Sequence, residues 1–340
     1  MRICILSEAH TTEFLNWTIP TNDSRNWATV LGNCDILDYR RVSKDPDRLL
    51  AFYDLVIIEL SDETYYLPKL LKAYLPNKYI IGIIEGRVEY VVRSRIDMEF
   101  LYKFCQCLKY LDMIGILVER TLPYYKLYVD KENQKKVQWL GIPYPKRWTD
   151  EVMKNVEIRR NEVTIELASA MDSRNGITNL LIFKKLKEEF PWIKGRVYIF
   201  LDREKEMIEN LGIDVEFCKV MEWQDYFKHH LQSFLVLCMD DRRTWGRYAL
   251  DCAASMMPYV GSYLSHCGEK VGVLTCDPFD VESALNYIRV LLKKYEKRKD
   301  DFYKQVVKKQ YERLKYYDEE LSRNRFFEAL KSAGIIMKNV

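Results

Sequence analysis

The 340-residue sequence lacks the short signatures that identify several large enzyme classes. It contains no Gly-x-Ser-x-Gly nucleophile elbow, no Walker phosphate-binding loop and no Gly-x-Gly-x-x-Gly dinucleotide fingerprint. Hypotheses of an α/β-hydrolase, a P-loop NTPase or a dinucleotide-dependent enzyme therefore have no support in the sequence.

Long apolar runs and a strong charge bias are also missing. No apolar run approaches the roughly 18–20 residues that a membrane-spanning helix needs. The opening residues MRICILSE resemble a first strand and not a charged, apolar leader. A formal net charge of +3, from 53 basic and 50 acidic residues, argues against a nucleic-acid partner. We expect a cytoplasmic protein without a membrane span.

The sequence gives little sign of a metal site or of disulfides. Its nine cysteines are an odd number and lie mostly in apolar runs, which is typical of reduced, buried thiols in the cytoplasm. Cys105 and Cys107 have no second pair at zinc-site spacing. His229, His230 and His266 have no cysteine or aspartate at ligand spacing. The sequence therefore predicts no metal and no cofactor.

Apolar strands alternate with helical stretches in two successive sets. The runs LVIIEL and YIIGII indicate strands covered by helices on both faces, and hence parallel sheets. The strands are predicted at residues 3–7, 35–39, 55–60, 79–84, 114–118 and 137–140, and then at 163–168, 196–201, 215–220, 234–238, 259–263 and 272–275.

A proline-bearing segment at residues 141–146 separates the two sets. We predict an α/β protein with two Rossmann-like domains facing a cleft, at residues 1–146 and 147–315, followed by a helical segment at 316–340. From residue 281 to 330 the chain is strongly charged. Because acidic residues interleave with the basic ones, the pattern favours solvated helices over a basic membrane-surface helix.

One segment, residues 233–274, carries the most information about chemistry. It predicts a strand, a polar loop, a short helix that begins around Gly246, and another strand. A loop that leads into a helix N-terminus can seat a phosphate, and glycine allows close approach to the backbone. Arg242 and Arg243 add permanent positive charge, with a solvated surface pair as the alternative, and Thr244 is a suitable N-cap.

This segment resembles the donor-site signature of GT-B glycosyltransferases, especially the retaining group 1 family. That signature has two glutamates eight residues apart, an aromatic-Gly pair between them, and then Ala-Met-Ala. Trp245-Gly246 falls on the aromatic-Gly pair, Asp251 falls on the second glutamate, and Arg243 takes the place of the first. Cys252-Ala253-Ala254 falls on Ala-Met-Ala, and Pro258-Tyr259-Val260 on the segment after it.

The resemblance implies roles for these positions. In the group 1 family the first glutamate contacts the donor sugar and the second holds the ribose. Asp251 can still accept hydrogen bonds from a ribose, whereas Arg243 has donors only and is suited to phosphate.

A second loop of the family holds the donor diphosphate with a Gly-Arg pair and a Lys-Gly pair. Asn175-Gly176 falls on the Lys-Gly pair, and Arg174 beside it could supply the missing cation. The alternative is that Asn175 and Gly176 merely cap a helix.

Three further candidates come from the first domain. Glu8 and His10 follow the first predicted strand, where open α/β sheets bind ligands, although residues 7–24 lack the glycines that the family carries there. Glu85 follows the fourth predicted strand, about where group 1 members carry a histidine of the catalytic region. We predict Glu85, His10 and Glu8 as catalytic, with helix capping and loop polarity as alternatives.

The resemblance implies a hexosyltransferase-like enzyme that moves a sugar from a nucleotide-sugar donor to the hydroxyl of a glycan or other acceptor, without a metal. It also implies that the C-terminal helix crosses back to the first domain. The departures from the signature favour an alternative, a non-catalytic GT-B homologue that binds a glycan or supports a partner enzyme. A third possibility is an inverting enzyme similar to the phage DNA glucosyltransferases, which the balanced charge disfavours. The oligomeric state stays open.

Overall fold

The structure is a computed structural model that describes residues 1–7, 25–32, 34–84, 98–156, 162–168, 175–199 and 202–335. The chain divides into two compact units. The first comprises Met1–Pro145 and Tyr317–Val340, and the second Lys146–Tyr316. No helix of the described residues is both long and apolar enough to cross a membrane.

The first unit is built on a six-stranded parallel sheet in the order β2-β1-β3-β4-β5-β6. All side chains of β1 are buried, which agrees with an apolar strand covered on both faces. The strands are β1 (Ile3–Ser7), β2 (Cys34–Asp38), β3 (Leu55–Glu59), β4 (Tyr79–Ile84), β5 (Met113–Ile116) and β6 (Val137–Trp139). The helices are α1 (Asn26–Leu31), α2 (Tyr39–Val42), α3 (Pro46–Leu50), α4 (Leu67–Tyr74), α5 (Met98–Leu108) and α6 (Leu122–Lys126).

The second unit has its own six-stranded parallel sheet. Its strands are β7 (Thr164–Leu167), β8 (Lys194–Ile199), β9 (Glu216–Lys219), β10 (Leu235–Cys238), β11 (Tyr259–Ser262) and β12 (Leu274–Cys276). Its helices are α7 (Lys146–Asn155), α8 (Gly176–Glu189), α9 (Asp202–Asn210), α10 (Trp223–His230), α11 (Tyr248–Ala254), α12 (His266–Val271), α13 (Val281–Glu296) and α14 (Asp301–Leu314).

The strand order β12-β11-β10-β7-β8-β9 gives this sheet a defined switch point. From β7 the chain adds two strands on one side, then returns and adds three on the other. The crevice at the carboxyl ends of β7 and β10 is therefore the place where a doubly wound sheet binds a ligand.

The last helix, α15 (Glu319–Ser332), belongs to the first unit. The Phe326 ring lies 5.1 Å from that of Trp27 in α1. The guanidinium of Arg325 lies 4.2 Å above the Trp139 ring and donates to the carbonyl of Leu140 at 3.1 Å. Both ends of the chain thus build the first unit.

A buried polar network underlies the second sheet. Glu166 of β7 accepts a hydrogen bond from Tyr226 at 2.7 Å and one from Ser233 at 3.2 Å. Its Oε2 atom lies 2.9 Å from His230 Nδ1, and His230 Nε2 lies 3.1 Å from Ser255 Oγ. The order serine, histidine, acid is that of a catalytic triad, but all three side chains are fully buried. We assign the network to joining β7, α10 and α11.

The prediction of an α/β fold with two parallel sheets and a helical C-terminal segment is confirmed. Each of the twelve predicted strands is present; β1 and β4 have the predicted bounds, and the other boundaries differ by at most two residues. The helix predicted to begin around Gly246 begins at Tyr248 instead, which changes the candidate site described next.

Candidate functional site

Asn179 connects the two strands at the switch point of the second unit. It is fully buried in the first turns of α8. Its Nδ2 atom donates to the carbonyl of Ala168 after β7 at 3.1 Å, and its Oδ1 atom accepts from the amide of Met239 after β10 at 2.9 Å. The start of α8 is thereby fixed over the carboxyl ends of β7 and β10. Sequence reasoning missed Asn179, although a lone asparagine on an apolar helix face is a signal for such a role.

The N-terminus of α8 carries the predicted Asn175-Gly176 pair. Asn175 takes the N-cap position in a left-handed conformation, with φ 52° and ψ 38°. Its side chain makes no cap hydrogen bond; it accepts from Thr178 Oγ1 at 2.6 Å and donates to the carbonyl of Pro278 at 3.4 Å. Asn175 therefore caps α8 by its position and not through its side chain, and this end of a 14-residue helix keeps its positive dipole toward the strand edge. Arg174 lies outside the described residues.

The loop after β10 is organised by Asp240, which is buried. Its Oδ1 atom accepts from the backbone amide of Arg242 at 3.0 Å and from Arg242 Nε at 3.2 Å. Its Oδ2 atom accepts from the Thr244 hydroxyl at 3.4 Å. The expected N-cap role of Thr244 is wrong, because the cap of α11 is Arg247 and Thr244 is engaged by Asp240. Arg242 is held in the loop by an internal ion pair.

Arg243 differs from its neighbour in being exposed. Within the described ranges it forms no ion pair with an acidic side chain. Arg243 is therefore an exposed cation in the loop that follows β10 and that Asp240 organises. The predicted phosphate contacts of Arg242 and Arg243 both stay predictions, and Arg243 is the more exposed of the two.

Trp245 and Gly246 pack the loop against the start of α12. The Trp245 ring stacks on that of His266 at 4.9 Å, and the Trp245 carbonyl accepts from the Cys267 amide at 2.9 Å. Gly246 has φ +74°, and a Cβ there would overlap the Ser265 side chain. Protein packing and a positive φ thus explain the glycine, and its predicted contact with a ligand stays a prediction.

Asp251 lies on α11 and is buried, with 2% of its surface exposed. Its Oδ1 atom accepts from the indole Nε1 of Trp223 at 3.2 Å and from Arg247 Nε at 3.4 Å. The Arg247 guanidinium also lies 4.3 Å above the Trp223 ring. The carboxylate is therefore held by protein groups, and a ribose would have to share it. Its predicted ribose contact stays a prediction.

The three candidates of the first unit, Glu8, His10 and Glu85, lie outside the described residues. The strands that precede them, β1 and β4, are parallel members of one sheet separated only by β3. Their catalytic roles stay predictions.

Comparison with known proteins identifies the fold. No family model matches the sequence, and no curated protein matches it. HepE from Anabaena, solved with UDP and glucose, matches with a TM-score of 0.69 at 9% identity, over 98% of this chain and 100% of its own. A UDP-forming trehalose-phosphate synthase from Burkholderia xenovorans matches with a TM-score of 0.66 at 13% identity, over 94% and 83%.

A glycosyltransferase from Rickettsia africae matches with a TM-score of 0.63 at 11% identity, over 92% of this chain and 84% of its own. Together with the two parallel sheets, these likenesses show that the chain has the GT-B fold. The identities are too low to carry over any substrate.

Proposed function

We propose that this protein is a glycosyltransferase that moves a sugar from a nucleotide-sugar donor to an acceptor hydroxyl. The proposal rests on two positively charged features at the switch point of the second unit. There the N-terminus of α8, fixed by Asn179, and the exposed cation of Arg243 lie at the carboxyl ends of neighbouring strands. Two positive features at such an edge suit a diphosphate.

The chemistry would be stabilisation of a leaving group. Transfer breaks the bond between the anomeric carbon and the donor phosphate oxygen and forms a bond to the acceptor oxygen, whose proton passes to a base. The departing nucleoside diphosphate gains negative charge, which the α8 dipole and Arg243 would stabilise. Because these groups supply positive charge, we propose that the reaction needs no metal.

The remaining predicted roles belong to the same proposal. Arg174, Asn175 and Gly176 would contact the diphosphate, and Asp251 would contact the ribose through a carboxylate shared with Arg247. Glu85, His10 and Glu8 are the candidates for the base.

Calorimetric titration with UDP and GDP tests the donor site first. HepE was solved with UDP, and the trehalose-phosphate synthase is described as UDP-forming, so UDP is the first ligand to measure. We expect saturable binding of a nucleoside diphosphate, followed by sugar release or transfer that EDTA does not abolish. No binding of either nucleotide at millimolar concentration would overturn the proposal.

A non-catalytic GT-B homologue that binds a glycan or supports a partner enzyme is the second candidate. Two observations favour it: Arg243 stands where the resemblance expects a sugar-binding glutamate, and Asp251 is already engaged by Trp223 and Arg247. Donor turnover by the wild type that disappears in Arg243→Ala would exclude this candidate. Glycan binding without any turnover of UDP-, GDP- or ADP-sugars would favour it.

A further inference from the structure

Three potential metal ligands meet on the edge strand of the second sheet. Glu216 and Cys218 lie two residues apart on β9, so their side chains project from the same face of the strand. His229, in the last turn of α10, is brought back over that face. One ligand atom from each side chain lies within 4.8 Å of the other two.

Two residues of the neighbouring strand β8 hold these side chains in place. Arg196 pairs with Glu216 in the strand register and donates from Nε to Oε2 of the carboxylate at 2.7 Å. Tyr198 pairs with Cys218, and its hydroxyl lies 2.9 Å from His229 Nδ1. Metal ligands in proteins are commonly oriented by such outer contacts, which fix the ring of a histidine and the plane of a carboxylate.

The charge and accessibility of the cluster are compatible with a cation. The Arg196 guanidinium contacts Oε2 of Glu216, and the Cys218 thiol hydrogen-bonds the same carboxylate, so a metal ion would take the place of the thiol proton between the two ligands. The Glu216 side chain is 51% exposed, and Cys218 and His229 are partly exposed, so an ion can reach them from solvent. Cys218 forms no disulfide.

We propose that Glu216, Cys218 and His229 bind a divalent zinc ion, with solvent completing the coordination. A thiolate, an imidazole and a carboxylate are the ligand types that zinc takes in proteins, whereas magnesium and calcium take oxygen ligands. The ion would join the edge strand β9 to α10. This inference does not rest on the proposed function, because β8 separates β9 from β7, the nearer strand of the switch point.

Cobalt substitution of the full-length, chelator-treated protein tests the site. Co²⁺ bound by a thiolate gives a ligand-to-metal charge-transfer band in the near ultraviolet, and we expect it to saturate at one equivalent. Zn²⁺ should displace the cobalt and bleach the band, since zinc binds such sites more tightly. Zn²⁺ should also raise the melting temperature, because an ion that binds only the folded state stabilises it.

Cys218→Ser should abolish the charge-transfer band and weaken Co²⁺ binding by at least about tenfold. Loss of a residue that only orients a metal ligand already costs about that much affinity, and loss of a ligand should cost more. His229→Gln gives a second test that keeps the thiol: the band should require a higher cobalt concentration. Cys105→Ser removes another partly exposed free cysteine, in the first unit, and should leave the band unchanged. Absence of the band in the wild type, or an equal band in Cys218→Ser, would overturn the proposal.

Discussion

His230 Nδ1 lies 2.9 Å from Glu166 Oε2, and neither side chain is exposed to solvent. Burial alone would raise the pKa of Glu166. The adjacent His230 and the hydrogen bonds from His230, Tyr226 and Ser233 outweigh burial and hold that pKa below its ordinary value. The carboxylate is thus an anchor that fixes α10 to β7 as long as it stays ionised.

Acid should therefore weaken the second unit through Glu166. Because the pKa of Glu166 is lower in the folded than in the unfolded state, its contribution is fully present above the ordinary value of 4.5. It is lost as the pH falls through the lower, folded value. We expect the free energy of unfolding, measured with urea between pH 7 and 3, to fall below pH 4.5. The fall should be smaller in Glu166→Gln than in the wild type.

Glu166→Gln should also cost about 1–3 kcal/mol at pH 7, because the buried carboxylate loses hydrogen bonds from its partners. Glu162→Gln is the matched control, since Glu162 pairs with Lys194 at a site where both side chains are more than half exposed. Its effect should stay within about 1 kcal/mol. Equal effects of the two substitutions would contradict the anchoring role.

Arg243→Ala should lower the affinity for UDP about 10- to 100-fold, since a hydrogen bond to a charged group contributes about 1.5–3 kcal/mol. The melting temperature should hardly change, because Arg243 is exposed and forms no ion pair within the described residues. Arg203→Ala, at an exposed arginine of α9, is the control and should bind UDP like the wild type. Calorimetry and a thermal melt decide; unchanged affinity in Arg243→Ala would exclude the phosphate contact.

Asn179→Leu should destabilise the protein by about 2–6 kcal/mol. It keeps the number and branching of the side-chain heavy atoms but leaves the Ala168 carbonyl and the Met239 amide without their partner, at about 1–3 kcal/mol for each buried group. UDP binding should weaken as well, since the start of α8 loses its position. Asn210→Leu, at an exposed asparagine at the end of α9, is the control. It should change neither the unfolding free energy nor the affinity for UDP. Normal stability of Asn179→Leu would contradict the bridging role.

Two glycines allow backbone strain to be separated from packing. Gly246→Ala combines a φ of +74° with overlap of the Ser265 side chain, whereas Gly212→Ala has a φ of +65° with its nearest neighbour, Lys184 Nζ, at 3.8 Å. Gly212→Ala should cost about 1–2 kcal/mol from backbone strain alone. Gly246→Ala should cost about 1–3 kcal/mol more from overpacking, measured as urea unfolding free energies. Equal losses of unfolding free energy in the two variants would mean that the loop containing Gly246 shifts away from Ser265 without cost.

The sequence predicted the strands well and the site contacts poorly, for physical reasons. The apolar run at residues 55–58 is unambiguous because a strand buried on both faces favours apolar side chains throughout. The start of α11 was misplaced because Gly246 takes a positive φ, which an α-helix does not contain. Trp223 and Asp251 are 28 residues apart, so no local spacing could reveal that they share a hydrogen bond.

The same limit applies to the zinc hypothesis. His229 lies eleven residues beyond Cys218, and only the turn from β9 into α10 brings the two side chains together. Spacing rules derived from compact zinc motifs do not cover this arrangement.

The placement of α15 in the first unit has a consequence for biosynthesis. The second unit, Lys146–Tyr316, is one uninterrupted stretch and can fold as soon as it has left the ribosome. The first unit, although translated earlier, lacks Phe326 as the partner of Trp27 until nearly the whole chain has been made. The unit whose synthesis begins first is therefore completed last. The helix α1 gains its packing partner α15 only after the whole second unit has been synthesised.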